Sequence, residues 1–269
     1  MNDIELQREM KTLGFYAGAL DGIVGPQSKL AISNMLGRRS DWKRPQSMSD
    51  ERKLLAAKQA ICEFHKIEVG AIDGFMGPQT ENAFEVYRIT VLNQLPAPTW
   101  RDEEVPIRPQ DEPEKPAWPR QRGVPSFFGE VGHHQTFIQL PYQMRLAWDL
   151  DVTVTRMKLH EKVAPSAERV LQRALDHYGI EKIIELRLDL FGGSSVVRKM
   201  RGGSRYSMHS WGIAIDFDPA HNRLKWNRKR ASLASSKYDD WWKLWEDEGW
   251  TSLGRARDFD WMHVQAARL

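Results

Sequence analysis

Ser207-Met208-His209-Ser210-Trp211-Gly212-Ile213-Ala214-Ile215-Asp216-Phe217 is the stretch on which the fold of this chain turns. From Gly212 onward it alternates. Ile213, Ile215 and Phe217 fall on one side and Ala214 and Asp216 on the other, so a period of two predicts a half-buried strand. Upstream, Ala164 to Tyr178 sets Val170, Leu171, Ala174 and His177 on one helical face, with Gly179 placed to cap the helix. Downstream, Tyr238 to Trp250 reads as a Trp-rich amphipathic helix that ends near Gly249. Helices and strands in mixed order, without regular βαβ alternation, predict an α+β domain over residues 127–269, with a small antiparallel sheet.

N-terminal to that domain the composition changes. Eight of the fourteen prolines lie between Pro96 and Pro125, mixed with Arg, Asp and Glu. Such a stretch favours extended polyproline II backbone, so 96–126 is expected to be a semi-rigid spacer between two functional parts. Before it stands an internal repeat with an offset of 52 residues. Gly18-Ala19-Leu20-Asp21-Gly22-Ile23-Val24-Gly25-Pro26-Gln27-Ser28 matches Gly70-Ala71-Ile72-Asp73-Gly74-Phe75-Met76-Gly77-Pro78-Gln79-Thr80 at seven of eleven positions, and Ala31 pairs with Ala83. Each copy reads as helix, tight loop, helix. The Asp-Gly pairs make the turn, and Pro26 and Pro78 suit the first turn of the second helix. Ala83, Phe84 and Tyr87 form its expected buried face. The all-α repeats are expected at 1–42 and 50–95, each with a small core of marginal stability.

Composition narrows the chemistry. At 41% hydrophobic and 28% charged, the 269 residues are ordinary globular material, which excludes wholesale disorder. No apolar run approaches the roughly 20 residues of a membrane span, so no membrane insertion is expected. The opening segment Met1 to Phe15 mixes acidic and basic residues and lacks an apolar core, so it does not read as a signal peptide. Cys62 is the only cysteine, which excludes an internal disulfide and a thiolate metal cluster. A metal site here must come from histidine and carboxylate. The net charge of +3 favours an anionic polymer only mildly.

Two segments supply such ligands. His209 and Asp216 are seven apart and cannot share a face of one regular strand, but a turn around His209 and Gly212 can bring the imidazole back to the carboxylate. Asp258-Phe259-Asp260-Trp261-Met262-His263 adds a second histidine and a free carboxylate. His209, Asp216 and His263 as N/O ligands, with Asp260 beside them, have the composition of a catalytic zinc site: three protein ligands and one position left open.

The pattern Ser-x-His-x6-Asp followed by Asp-x-x-His resembles that of the D-alanyl-D-alanine carboxypeptidase and L-alanyl-D-glutamate peptidase family of zinc enzymes, which includes phage endolysins and VanY-type carboxypeptidases. The resemblance covers about residues 127–269. The N-terminal repeats resemble the small helical peptidoglycan-binding module found beside such enzymes, and both halves point to one polymer. The resemblance implies Zn2+ on His209, Asp216 and His263. It implies Asp260 as the catalytic carboxylate, Arg198 (with Arg201 and Arg205 as rivals) as the arginine facing substrate, and Ser207 as a supporting hydrogen-bonding residue. Asp260 stands where the carboxypeptidase branch has glutamate, and Met262 replaces an aromatic residue. The shorter aspartate resembles the endolysin endopeptidase branch, which is the branch expected.

The function expected is therefore a modular, bacteriophage endolysin-like zinc metallopeptidase that cuts peptidoglycan stem peptides or cross-links. The alternatives are a D,D-carboxypeptidase that removes terminal D-alanine, and an inactive wall-binding protein. A monomer with peptidoglycan as its partner is expected, with no nucleic-acid partner. It would be made in the cytoplasm without a signal peptide and would reach the wall after release by a holin-type factor. His65, His133, His134, His160, His177 and His221 read as structural or surface residues. Trp241 and Trp245 share a helical face and read as core, and Lys225 to Arg230 reads as a solvated basic loop. Asp21 and Asp73 read as turn residues.

Overall fold

The computed structural model describes residues 1–40, 42, 48–102 and 118–269, which form two compact units, Met1–Trp100 and Arg101–Leu269. The part of the expected spacer that carries Pro106, Pro109, Pro113 and Pro116 lies outside the described residues.

The first unit holds four helices: α1 (Asp3–Thr12), α2 (Pro26–Gly37), α3 (Asp50–Phe64) and α4 (Pro78–Tyr87). Asn2 opens α1 with a reciprocal cap. Its side chain accepts from the Glu5 N–H at 2.9 Å, and the Glu5 carboxylate accepts from the Asn2 N–H at 2.7 Å. Pro26 and Pro78 sit in the first turns of α2 and α4.

The repeat extends further back than its motif shows. Gln7 on α1 and Gln59 on α3 make equivalent networks. The Gln7 amide donates to Asp21 Oδ1 (3.1 Å), Ile23 O (3.1 Å) and Ser28 Oγ (3.4 Å). The Gln59 amide donates to Asp73 Oδ1 (3.2 Å), Phe75 O (3.1 Å) and Thr80 Oγ1 (3.0 Å). Each glutamine oxygen accepts the N–H of the following turn glycine, Gly22 or Gly74. Asp21 and Asp73 are thus held in place as turn residues.

The two copies share one core, which corrects the separate small cores expected of them. Leu6, Met10, Ile32 and Leu36 of the first copy pack in one cluster with Ala56, Ile61, Ala83 and Tyr87 of the second. Glu9 takes a hydrogen bond from the Tyr87 hydroxyl at 2.5 Å and faces His65 Nε2 at 3.0 Å. Neither copy has enough apolar surface to bury a core alone, and stacking supplies the rest.

In the second unit, α5 (Val124–Phe128) precedes the hairpin of β1 (Gln135–Leu146) and β2 (Asp149–His160). The helical run α6 (Ala164–Glu185), β3 (Leu190–Gly193), β4 (Ala214–Phe217), α7 (Asp239–Asp247), β5 (Thr251–Ser252), α8 (Leu253–Arg257) and β6 (His263–Gln265) follow. The sheet has six strands in the order β2-β1-β3-β4-β6-β5. It is mixed, which corrects the small antiparallel sheet expected. After the hairpin the chain crosses back through α6, so β3 enters beside β1 in the same direction, and that pair is parallel. The other pairs are antiparallel.

Three further expectations need correction. Trp118 belongs to the second unit and not to a spacer: its indole N–H donates to Glu248 O at 3.0 Å, and its ring packs against Phe128 and Trp250. Pro125 lies in the first turn of α5. Proline enrichment marks extended backbone and helix starts, and neither prevents packing. Secondly, β4 is buried on both faces, because the side that carries Asp216 faces an enclosed site. Thirdly, His177 leaves the buried face of α6 and lies 3.3 Å from Asp240 at the surface, while Val170, Leu171 and Ala174 are buried.

Gly179 breaks the helical run at φ 67° and ψ 160°. Trp241, Trp242, Trp245 and Trp250 are core residues, and Phe217 of β4 meets the Trp241 ring edge-on at 5.0 Å. No helix among the described residues is long and apolar enough to cross a membrane.

Candidate metal centre

Local geometry brings His209 to Asp216. Ser207 caps a short 3-10 turn, Met208–Trp211, which ends at Gly212 in the left-handed region (φ 66°). A Cβ at Gly212 would also meet the Gln135 side chain and, at 2.9 Å, the backbone nitrogen of His160, so glycine is required by close approach as well as by φ. The reversal points His209 Nε2 at Asp216 Oδ1, 3.2 Å away.

Strand register brings the third group. In the antiparallel β4–β6 pair, Asp216 stands opposite His263, and directly opposed side chains share one face. His263 Nδ1 lies 2.9 Å from Asp216 Oδ1 and 3.2 Å from His209 Nε2. All three residues are buried.

The outward ring nitrogens set the protonation of the inward ones. His209 Nδ1 donates to Ser194 O at 2.9 Å. His263 Nε2 donates to Gln265 Oε1 at 3.2 Å, and the Gln265 amide nitrogen is itself tied to Ala267 O at 2.8 Å, which turns its oxygen toward the histidine. With protons on the outer nitrogens, three lone-pair atoms converge with no donor among them. Atoms about 2.0–2.1 Å from a tetrahedral ion stand about 3.3 Å apart, close to the spacing here. The donor set fits a divalent cation, and hydrogen bonds to the outer nitrogens are the usual support of histidine ligands. Among the described residues this is the one group that could hold a metal.

Electrostatics agrees. Burial lowers the pKa of His209 despite the opposing pull of Asp216, which keeps the ring in its neutral, ligating form. Arg201 Nη2 lies 3.6 Å from Asp216 Oδ2.

Asp260 is buried beside this trio at φ 57°, a left-handed backbone unusual for aspartate. Its N–H donates to Leu224 O at 2.9 Å, and its carbonyl accepts the His263 N–H at 3.0 Å. Oδ2 accepts from Arg101 Nη2 at 3.0 Å. Oδ1 is buried and has no hydrogen-bond partner among the described residues.

Arg198, Arg201 and Arg205 all line a cavity of about 20 Å³ together with Arg101, Arg257, Asp260 and His263. Arg198 and Arg201 are both buried. Burial, then the neighbouring Arg201, pushes the Arg198 guanidinium down to about 9. Its Nη1 donates to Lys199 O at 3.1 Å, and among the described residues it forms no ion pair with a carboxylate. Arg201 faces Asp216, and Arg205 is exposed. Ser207 lines the same cavity but ties down the loop through its backbone, its N–H donating to Arg198 O at 3.0 Å. The hydroxyl that joins the two segments is that of Ser210, which donates to Arg198 O at 2.6 Å and accepts the Arg198 N–H at 3.0 Å.

Sequence reasoning missed Arg101, Ser194, Ser210 and Gln265. A signal existed only for Gln265, which a period of two places on the face of His263. Of the histidines set aside, His160 is buried and bonded to Phe128 O at 3.0 Å, and His221 pairs with Asp218 at 2.7 Å. Neither joins the trio.

No curated protein matches the chain, and no solved structure does. A family model described as D-alanyl-D-alanine carboxypeptidase matches residues 201–266, under half of the chain. That segment carries His209, Asp216, Asp260 and His263, and the match supports a peptidase built on a His-Asp-His group that could bind a metal.

Proposed function

We propose that this chain is a zinc-dependent peptidase of peptidoglycan, with the second unit as the catalyst and the N-terminal repeats as its wall-binding part. One observation carries the reading: three lone-pair atoms converge 2.9–3.2 Å apart, and one of their residues, His263, lines a cavity with Asp260, whose Oδ1 has no hydrogen-bond partner among the described residues. His209, Asp216 and His263 would hold the ion. When bound, zinc supplies the Lewis acidity that activates water and polarises an amide carbonyl at neutral pH.

The remaining work falls to side chains of the chain itself. Asp260 Oδ1 takes the proton of the attacking water and returns it to the leaving amine, while Arg101 keeps Oδ2 occupied. Arg198, a buried cation without an acidic partner among the described residues, balances negative charge brought or developed by substrate. Backbone and hydroxyl hydrogen bonds from Ser207 and Ser210 hold the loop that presents it.

Within this reading we favour an endolysin-like endopeptidase that acts on the wall after release, on the strength of Asp260 and the repeats. The arginine-lined cavity favours a second reading, a D,D-carboxypeptidase, because such a lining suits a substrate that ends in a carboxylate. Mass spectrometry of purified peptidoglycan fragments, with and without a zinc chelator, tests both. Chelator-sensitive cleavage is expected, and the new termini name the bond. Release of terminal D-alanine alone selects the carboxypeptidase, and intact fragments from zinc-loaded protein would leave only a wall-binding role.

A further inference from the structure

We infer that Arg101 is a positioning residue of the active centre: it holds the Asp260 carboxylate by one oxygen and leaves the other free to take a proton. The inference rests on the peptidase reading. Arg101 lies far outside the stretch that matches the family model, and 159 residues separate it from Asp260.

Four observations carry it. The Arg101 guanidinium is nearly enclosed, and its Nη2 contacts Asp260 Oδ2 at 3.0 Å. Among the described residues only that oxygen is engaged, while Oδ1 is buried without a partner. The guanidinium also lies 5.2 Å from the Phe259 ring centroid, so two neighbouring residues fix its plane. Finally, the short segment that carries Arg101 is fastened at two points. The Arg101 N–H donates to Gly202 O at 2.8 Å, and both Asp102 carboxylate oxygens accept the Ser204 N–H at 3.0 Å.

The fastening matters because the 201–205 turn also presents Arg201 to Asp216. Asp260 sits on left-handed backbone at φ 57°, and among the described residues the one hydrogen bond to its side chain comes from Arg101, so that contact sets its direction. A guanidinium serves because its planar fork constrains both the distance and the tilt of a carboxylate. Misplacing a proton-transfer group by about 1 Å costs about 100-fold in rate.

The test uses the full chain, zinc-loaded, on a soluble stem peptide that the wild type cleaves. Arg101→Ala is expected to lower kcat by about 100-fold with KM unchanged. Its zinc content should stay at the wild-type level, and added guanidinium ion should restore part of kcat. Arg101→Lys keeps the charge without the fork and should fall between the two. It also serves as the test should the alanine variant fail to fold. An unchanged or raised kcat in Arg101→Ala would overturn the inference, and a raised one would mean that Arg101 obstructs the cavity. Loss of zinc, or failure of guanidinium to rescue, would assign Arg101 a structural role and overturn it too. A zinc-loaded wild type that cleaves no peptide defeats the peptidase reading itself, and the inference with it.

Discussion

Asp216 and His263 face each other across the β4–β6 ladder, with His263 Nδ1 2.9 Å from Asp216 Oδ1. Strand pairing therefore builds two of the three candidate ligands into the sheet, and only His209 depends on a turn. A centre of this kind is held by backbone hydrogen bonds and keeps its geometry as firmly as the sheet keeps its register.

Gln265 shares that ladder face and orients His263 through its side-chain oxygen. Gln265→Leu should weaken zinc binding by about 10- to 100-fold while the fold persists. Competition against a chromophoric chelator measures this directly. Wild-type affinity in the variant would show that the His263 tautomer needs no such partner.

Asp260→Ala should reduce hydrolysis by about 10²- to 10⁴-fold with zinc content unchanged. Loss of the ion would instead make Asp260 a ligand. The variant should also be less stable by about 3–5 kcal/mol, because it strands the buried Arg101 without its counter-charge. Chemical denaturation reads that second effect independently of catalysis.

Arg198 predicts the opposite sign. A buried guanidinium that burial drives down to about 9 raises the free energy of the unliganded fold. Arg198→Met should therefore stabilise the protein by about 1–4 kcal/mol while it lowers kcat/KM. Thermal melts and initial rates on the same preparation suffice. A destabilised Arg198→Met would mean that the guanidinium contributes more through packing than it costs in lost hydration.

His160 gives the pH dependence. Burial lowers its pKa from the ordinary 6.5, and its Nδ1 accepts the Lys162 N–H at 3.1 Å. Below pH 6.5 the unfolded chain binds a proton that the folded chain refuses, so stability rises with pH up to that point and falls as the solution is acidified below it. Denaturant titrations of zinc-loaded protein between pH 7 and pH 5 should show a decline that His160→Gln makes shallower. Equal slopes in the two proteins would remove His160 as a cause.

Much of this was legible in the linear chain. The Asp-Gly and Gly-Pro spacing at an offset of 52 announced the two helical repeats, because turn chemistry is local and each residue type enforces its own backbone geometry. The residue types of the candidate metal group, His209, Asp216 and His263 with Asp260 near them, were also readable, since a chain with one cysteine leaves few ligands to choose from. Periodicity placed the Trp helix and the central strand.

Long-range geometry was not legible. That β3 runs parallel to β1 follows from the path of α6, and that the two repeats share one core follows from how their apolar faces meet. The pairing of Arg101 with Asp260 spans 159 residues and leaves no trace in local pattern or period. Sequence alone determined which chemical groups this protein has and which local turns present them. Only the tertiary structure decided which groups meet, because burial and hydrogen-bond partners depend on atoms brought together from distant parts of the chain.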